Sequence, residues 1–191
     1  MSIINNANPG SDIGSLCVIF KVIFRNNKQY TREELQSLCA PEFLFTKDNQ
    51  RAKYRETFSF WEKHERPLWK EHAKTKKIEL VTLPDTTSPI SISKIVHDAL
   101  FTKKINDLFA SMSSDKKTDT EHLFLCIAAI YASDEFCFWS GKPIDNKALT
   151  QLFGKINEVV HPPNTNERPG LREWGRFLGY FDTTLGTGDH Y

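Results

Sequence analysis

The sequence contains none of the short motifs that mark the common catalytic and metal sites. Its 191 residues include no Cys-x-x-Cys, no His-x-x-x-His, no glycine-rich phosphate loop and no Gly-x-Ser-x-Gly turn. The four cysteines, at positions 17, 39, 126 and 137, are widely separated and lie beside apolar residues, which is typical of buried reduced thiols. We therefore expect no metal, no cofactor and no enzymatic activity of the chain's own.

Long hydrophobic runs are also missing. The longest, LCVIFKVIF at residues 16–24, is interrupted by a lysine and is far too short to span a bilayer. The opening stretch MSIINNANPGSDIG lacks the basic start and apolar core of a secretory signal. These features predict a cytoplasmic chain without membrane contact.

The first two helices are indicated by their caps. Ser11 or Asp12 precedes apolar residues at helical spacing, although the β-branched and aromatic stretch VIFKVIF leaves a strand as the rival interpretation. Thr31 and Glu34 have the spacing of a capping box, in which each side chain binds the other residue's free amide. Leu35, Leu38 and Cys39 are then expected to form the apolar face of the second helix.

A third helix and a hairpin follow. Tyr54, Phe58 and Trp61 share one face of a predicted helix over about residues 50–64. LWKEHAK and KIELVTL read as two strands around a lysine-rich turn at residues 74–77. Three short helices and then a hairpin is the order of a winged helix-turn-helix.

A linker rich in Pro, Ser and Thr, LPDTTSP at residues 83–89, separates this region from a second helical one. We predict a mainly α protein with a small β-hairpin: a winged helix-turn-helix domain over residues 1–84 and a helical C-terminal domain over residues 90–191. The outline of the second domain also suits a second, degenerate winged helix.

Positive charge is concentrated in one part of an almost neutral chain. The whole sequence carries a net charge of +1, whereas residues 47–77 hold ten Lys or Arg and five Asp or Glu, a local charge of +5. Polar residues flanking the apolar stripe of a recognition helix are placed to reach phosphates and base edges, and a basic wing reaches the adjacent backbone. The predicted DNA-binding residues are Lys47, Gln50, Arg51, Lys53, Arg55, Thr57, Lys74, Lys76 and Lys77.

A second basic face is predicted on the last helix, where Arg168, Arg172 and Arg176 are spaced four residues apart. These arginines suit phosphates or an acidic partner, while a solvated helix face is the plainer interpretation. For the main cluster, the alternative to nucleic acid is likewise a solvated surface, or a winged helix that docks on protein.

Two stretches carry a resemblance to a known family. The aromatic pair in FSFWEKH and the closing segment NERPGLREWGRFLGYF, with Asn166, Trp174, Phe177 and Gly179, make the chain resemble the DpdG family. That family belongs to bacterial gene clusters that insert 7-deazaguanine derivatives into DNA and restrict unmodified DNA. The resemblance implies a role in DNA modification or phage defence beside partner proteins, and it supplies no catalytic residues.

The leading hypothesis is therefore non-catalytic binding of double-stranded DNA within such a system. A transcriptional regulator of the winged-helix type is the closest alternative and requires a dimer on paired half-sites. A protein-docking scaffold without nucleic-acid contact is the third.

Overall fold

The computed structural model describes residues 2–26, 29–42, 48–86, 88–101, 119–133, 146–155, 161–184 and 188–190. In these residues the protein is mainly helical with two small antiparallel hairpins, which confirms the predicted mainly α class with a small β-hairpin. The winged-helix arrangement stays a prediction. The elements are a 3-10 turn (Pro9–Ser11), α1 (Ile13–Arg25), α2 (Arg32–Cys39), α3 (Asp48–Lys63), β1 (Trp69–Glu71), β2 (Ile78–Leu80), α4 (Pro89–Leu100), α5 (Asp119–Tyr131), α6 (Asn146–Lys155), α7 (Glu167–Phe177), β3 (Asp182–Thr184) and β4 (Gly188–His190).

The chain divides into two compact units. The N-terminal unit comprises Pro9–Leu100, and the C-terminal unit comprises Met1–Asn8 together with Phe101–Tyr191. This grouping assigns α4 to the N-terminal unit, whereas the division predicted from the sequence assigns it to the second domain. The domain boundaries 1–84 and 90–191 stay a prediction.

Helix α1 forms because its start is well capped. The Asp12 carboxylate accepts hydrogen bonds from the Ser15 amide at 3.1 Å and from the Ser15 hydroxyl at 2.7 Å. The helix buries residues at helical spacing along one side, so the strand alternative for this stretch is wrong. The buried apolar residues are Leu16, Ile19, Phe20 and Ile23.

Helix α2 begins with the predicted capping box. The Thr31 amide donates to Glu34 Oε2 at 2.7 Å, and the Glu34 amide donates to Thr31 Oγ1. Leu35 and Cys39 are buried against the rest of the unit. Leu38 is 49% exposed, so its place in the predicted apolar face is wrong: a helix of eight residues presents only a narrow buried side.

The hairpin is attached to both α2 and α3. β1 and β2 pair antiparallel, with Trp69 opposite Leu80 and Glu71 opposite Ile78. The Ile78 amide donates to the Tyr30 carbonyl at 3.0 Å. A β-bridge between Thr31 and Lys77 extends this contact, so the segment before α2 runs beside β2 as a third, very short strand.

The C-terminal unit packs α5 and α7 around buried apolar side chains, among them Leu123, Ile130 and Trp174. Gly170 permits the N-terminal segment to approach α7, because a Cβ at this position would overlap the Ile4 carbonyl oxygen. The hairpin β3–β4 follows the described helices of this unit. The interpretation of this unit as a second winged helix stays a prediction.

None of the described helices combines the length and the apolar character needed to cross a membrane.

Candidate nucleic-acid interface

Helix α3 is held by its aromatic side. Phe58 and Trp61 are buried, and Tyr54 is half-buried one turn before Phe58. The buried Trp69 of β1 donates its indole N–H to the Phe58 carbonyl at 3.1 Å, and the two rings lie 5.4 Å apart. The Leu68 amide donates to the Trp61 carbonyl. These bonds join the hairpin to the core side of α3 and leave the opposite side of the helix outward.

A second anchor ties α3 to α2. One terminal nitrogen of Arg32 donates to both oxygens of the Glu62 carboxylate, at 2.6 and 2.7 Å. The guanidinium also lies over the Phe58 ring, 5.4 Å from its centroid. Because the Glu62 side chain is only 11% exposed, this pair is better shielded from solvent than most ion pairs at a surface.

Two of the predicted cations are partly neutralised. Arg51 binds Glu42, with 2.6 Å between Nη1 and Oε1, and Lys53 lies 3.4 Å from the Asp12 carboxylate. Burial alone would raise the pKa of Asp12, but the bonds from Ser15 and the charge of Lys53 outweigh it and hold that pKa below its ordinary value. Asp12 therefore stays ionised beside Lys53 at neutral pH.

Thr57 is the clear correction to the predicted set. Its side chain is fully buried, and its hydroxyl donates to the Pro9 carbonyl at 2.9 Å. The 3-10 turn at Pro9–Ser11 covers this flank of α3, and Gly10 lies so close to Phe60 that a Cβ there would overlap the ring. A residue covered by the protein's own backbone cannot reach DNA, so its assignment to the interface is wrong.

The outward face of α3 carries cations without a partner. Arg55 and Lys63 are exposed, and neither forms an ion pair or a side-chain hydrogen bond with any residue the structure describes. Ser59 lies midway between them, so the three residues follow at intervals of four and share one side of the helix. Lys63 was missing from the predicted set, although its spacing of eight residues from Arg55 indicates the same side.

The hairpin lysines differ in whether other described residues already bind their ammonium groups. Lys74 at the tip is exposed and has no partner among the described residues. Lys76 lies 3.2 Å from the Glu71 carboxylate, and Lys77 donates to the Gln29 carbonyl at 2.9 Å. Lys76 also adopts a positive φ of 58°, which turns the chain sharply at the tip. We name Arg55, Lys63 and Lys74 the open cations.

The structure does not describe the side chains of two predicted residues. Lys47 falls outside the described residues, and only the backbone of Gln50 is described.

The predicted second basic face lies on α7, whose opposite side buries Leu171 and Trp174. The Arg168 Nε donates to the Pro163 carbonyl at 3.2 Å, which fixes the start of the helix to the preceding loop. Arg172 is half-buried and Arg176 is exposed. Arg168 thus has a structural role, and the use of this face by phosphate or by a partner stays a prediction.

Burial lowers the reactivity of the described cysteine thiols. Burial raises the pKa of Cys39 to about 12 and also raises the pKa of Cys17, and Cys126 is fully buried. Within the described part of the chain, no group of three His, Cys, Asp or Glu side chains is placed to hold a metal ion. The expectation of a chain without metal, cofactor or enzymatic activity stays a prediction.

These features define a helix-rich protein with an α3–hairpin surface that displays unpaired cations. The chain matches the family model described as DpdG-like over residues 1–190 and belongs to that family. No curated protein and no solved structure matches it. Family membership supports the DNA-modification context that the sequence resemblance implied.

Proposed function

We propose that the protein is a non-catalytic component of a bacterial DNA-modification and phage-defence system, and that it contacts duplex DNA through a winged helix. Here α3 is the recognition helix and the β1–β2 hairpin is the wing. Partner proteins of the same system supply the chemistry.

The topology supports a winged helix. Three helices precede a hairpin, and the backbone at Tyr30 and Thr31 adds a short third strand beside β2. In a helix-turn-helix the recognition helix is held by its apolar face while its opposite side enters the major groove. Phe58 and Trp61 provide such an apolar face in α3.

The observation that carries the proposal is the pair of open cations on the outward side of α3. Neither Arg55 nor Lys63 forms an ion pair with a described acid, so both positive charges remain available to attract DNA phosphates. The small Ser59 between them allows the helix to approach a polyanion closely. Glu56 is exposed near this side and suits the amino group of cytosine better than a phosphate.

The α2 N-terminus limits where DNA can lie. Glu33 and Glu34 are both exposed there, and their charges oppose the phosphate contact that a helix N-terminus otherwise favours. We therefore assign the DNA contact to α3 and the hairpin tip at Lys74, without a contribution from the start of α2.

A salt titration of duplex binding tests the proposal. The anisotropy of a fluorescent duplex is measured with the purified protein at several salt concentrations. We expect the logarithm of the binding constant to fall linearly with the logarithm of the salt concentration. The slope of this line should be about −0.9 for each phosphate that the protein contacts. A protein that binds no duplex, or whose binding ignores salt, contradicts the proposal. The protein-docking scaffold would then be the better hypothesis.

A further inference from the structure

The N-terminal unit has a cleft whose lining includes none of the open cations. It has a volume of about 280 Å³ and is bounded by the loop after α3, the residues after β2 and one side of α4. Its apolar lining includes Pro67, Val81 and Ile95. Its charged lining consists of Glu65, Arg66 and Asp98.

The charges of this cleft are not matched by other cleft residues or by the rest of the described chain. Glu65 and Arg66 are exposed, and their side chains form no ion pair or hydrogen bond with the residues the structure describes. Asp98 is 72% exposed, and among the described residues its carboxylate approaches His97, at 3.5 Å. A basic and two acidic groups thus share one rim without pairing with each other.

Exposed apolar residues are concentrated in the stretch of chain that begins at the cleft residue Val81. Of the six large apolar side chains exposed in the described part of the chain, three lie in residues 81–90. Val81 lines the cleft and is 47% exposed, Leu83 is 59% exposed three residues after β2, and Ile90 is 81% exposed in the first turn of α4. A run of exposed apolar residues is typical of a protein–protein contact.

We propose that this face binds a second copy of the chain through a two-fold symmetric interface. Such an interface brings the same patch together with itself, so it needs both signs of charge beside an apolar centre. The cleft provides them: Arg66 of one copy is available to Asp98 of the other, and the reverse pair forms by symmetry. The two carboxylates disfavour DNA as the occupant, because they repel phosphate.

The inference does not depend on DNA binding. Where duplex binding also holds, a two-fold dimer presents two α3 helices to half-sites one helical turn apart, about 34 Å on B-form DNA. This is the assembly that the regulator alternative requires.

The mass in solution tests the dimer. Light scattering on the eluting peak should give twice the 22.0 kDa mass of one chain for the wild type. Leu83→Glu and Ile90→Glu should each weaken dimerisation at least about tenfold, because a carboxylate must be desolvated in the apolar centre. Leu38→Glu is the matched control, since Leu38 is comparably exposed but lies on α2, and it should stay dimeric. Far-UV circular dichroism checks that each variant is folded.

Charge reversal tests the pairing itself. Arg66→Glu and Asp98→Arg should each be largely monomeric, because each places like charges opposite one another twice. An equimolar mixture of the two variants restores both opposite-charge pairs and should dimerise. A wild type of 22.0 kDa at every concentration, or a mixture that stays monomeric, overturns the proposal. A monomer that binds a different protein through this face overturns it as well.

Discussion

The indole N–H of Trp69 donates to the Phe58 carbonyl at 3.1 Å, and this bond joins the first strand of the hairpin to the buried side of α3. Both side chains are buried, and their rings lie in tilted contact. The orientation of the hairpin relative to α3 therefore depends on a side chain that never reaches the surface. If the two elements bind DNA together, Trp69 sets the spacing between their cations.

Trp69→Phe should destabilise the N-terminal unit by about 1–3 kcal/mol, because it removes a buried hydrogen bond and leaves part of the indole volume empty. Urea unfolding followed by circular dichroism measures the loss. Lys74→Ala, on the same hairpin, is the control and should change stability by less than about 0.5 kcal/mol, since Lys74 is exposed and has no partner among the described residues. Equal effects of the two substitutions would show that Trp69 does not join the elements.

Two arginine–glutamate pairs with the same 2.6 Å distance should differ in their contribution to stability. Arg32→Gln leaves the Glu62 carboxylate, 11% exposed, without its partner and should cost about 1–2 kcal/mol. Arg51→Gln releases Glu42, which is 80% exposed, and should cost less than about 0.5 kcal/mol. Urea midpoints of the two variants provide the comparison. A larger loss for Arg51→Gln would contradict the burial argument.

Thr57→Val tests whether the buried threonine belongs to the DNA surface. We expect a loss of about 1 kcal/mol in stability, since the Pro9 carbonyl loses its hydroxyl donor. Duplex affinity, measured by anisotropy, should remain unchanged within about twofold once folding is confirmed. A selective loss of affinity without a loss of stability would return Thr57 to the interface.

Two helical glycines should respond oppositely to alanine. Gly170→Ala places a Cβ against the Ile4 carbonyl oxygen and should destabilise the C-terminal unit by about 1–3 kcal/mol, because backbone must move. Gly154→Ala meets nothing within 4 Å and should be neutral or stabilising by up to about 0.5 kcal/mol, since alanine favours the helix. Thermal melts of the two variants compare them directly. A stable Gly170→Ala variant would mean that the N-terminal segment is not packed on α7.

Local signals in the sequence were sufficient for the caps of α1 and α2 and for the order of elements from α1 to β2, but the β3–β4 hairpin was not predicted. Asp12 and Thr31 start α1 and α2 as expected, because a capping side chain acts on amides within three residues of itself. The apolar stripe through Phe58 and Trp61 was also readable from helical spacing. These features depend on neighbours along the chain.

Pairings between distant segments were not predictable in the same way. The Arg51–Glu42 and Lys53–Asp12 pairs join α3 to other parts of the chain. Helical periodicity gives no information about which distant acid will pair with a basic residue of the helix. Thr57 was misassigned for the same reason, since a 3-10 turn 48 residues earlier covers it. Helical periodicity identifies the apolar side that a helix buries. It does not show whether a polar residue beside that side, such as Thr57, is covered by a distant segment of the chain.

The claim that the open cations bind duplex DNA is tested most directly by comparing two triple variants that lose the same charge. Arg55, Lys63 and Lys74 are changed to Ala in one variant, and Arg25, Lys94 and Lys147, all exposed cations elsewhere, are changed in the other. Both lose the same charge, so any general attraction to a polyanion falls equally. The account predicts at least about tenfold weaker duplex binding and a shallower salt dependence for the first variant alone. Equal affinities of the two variants would contradict it.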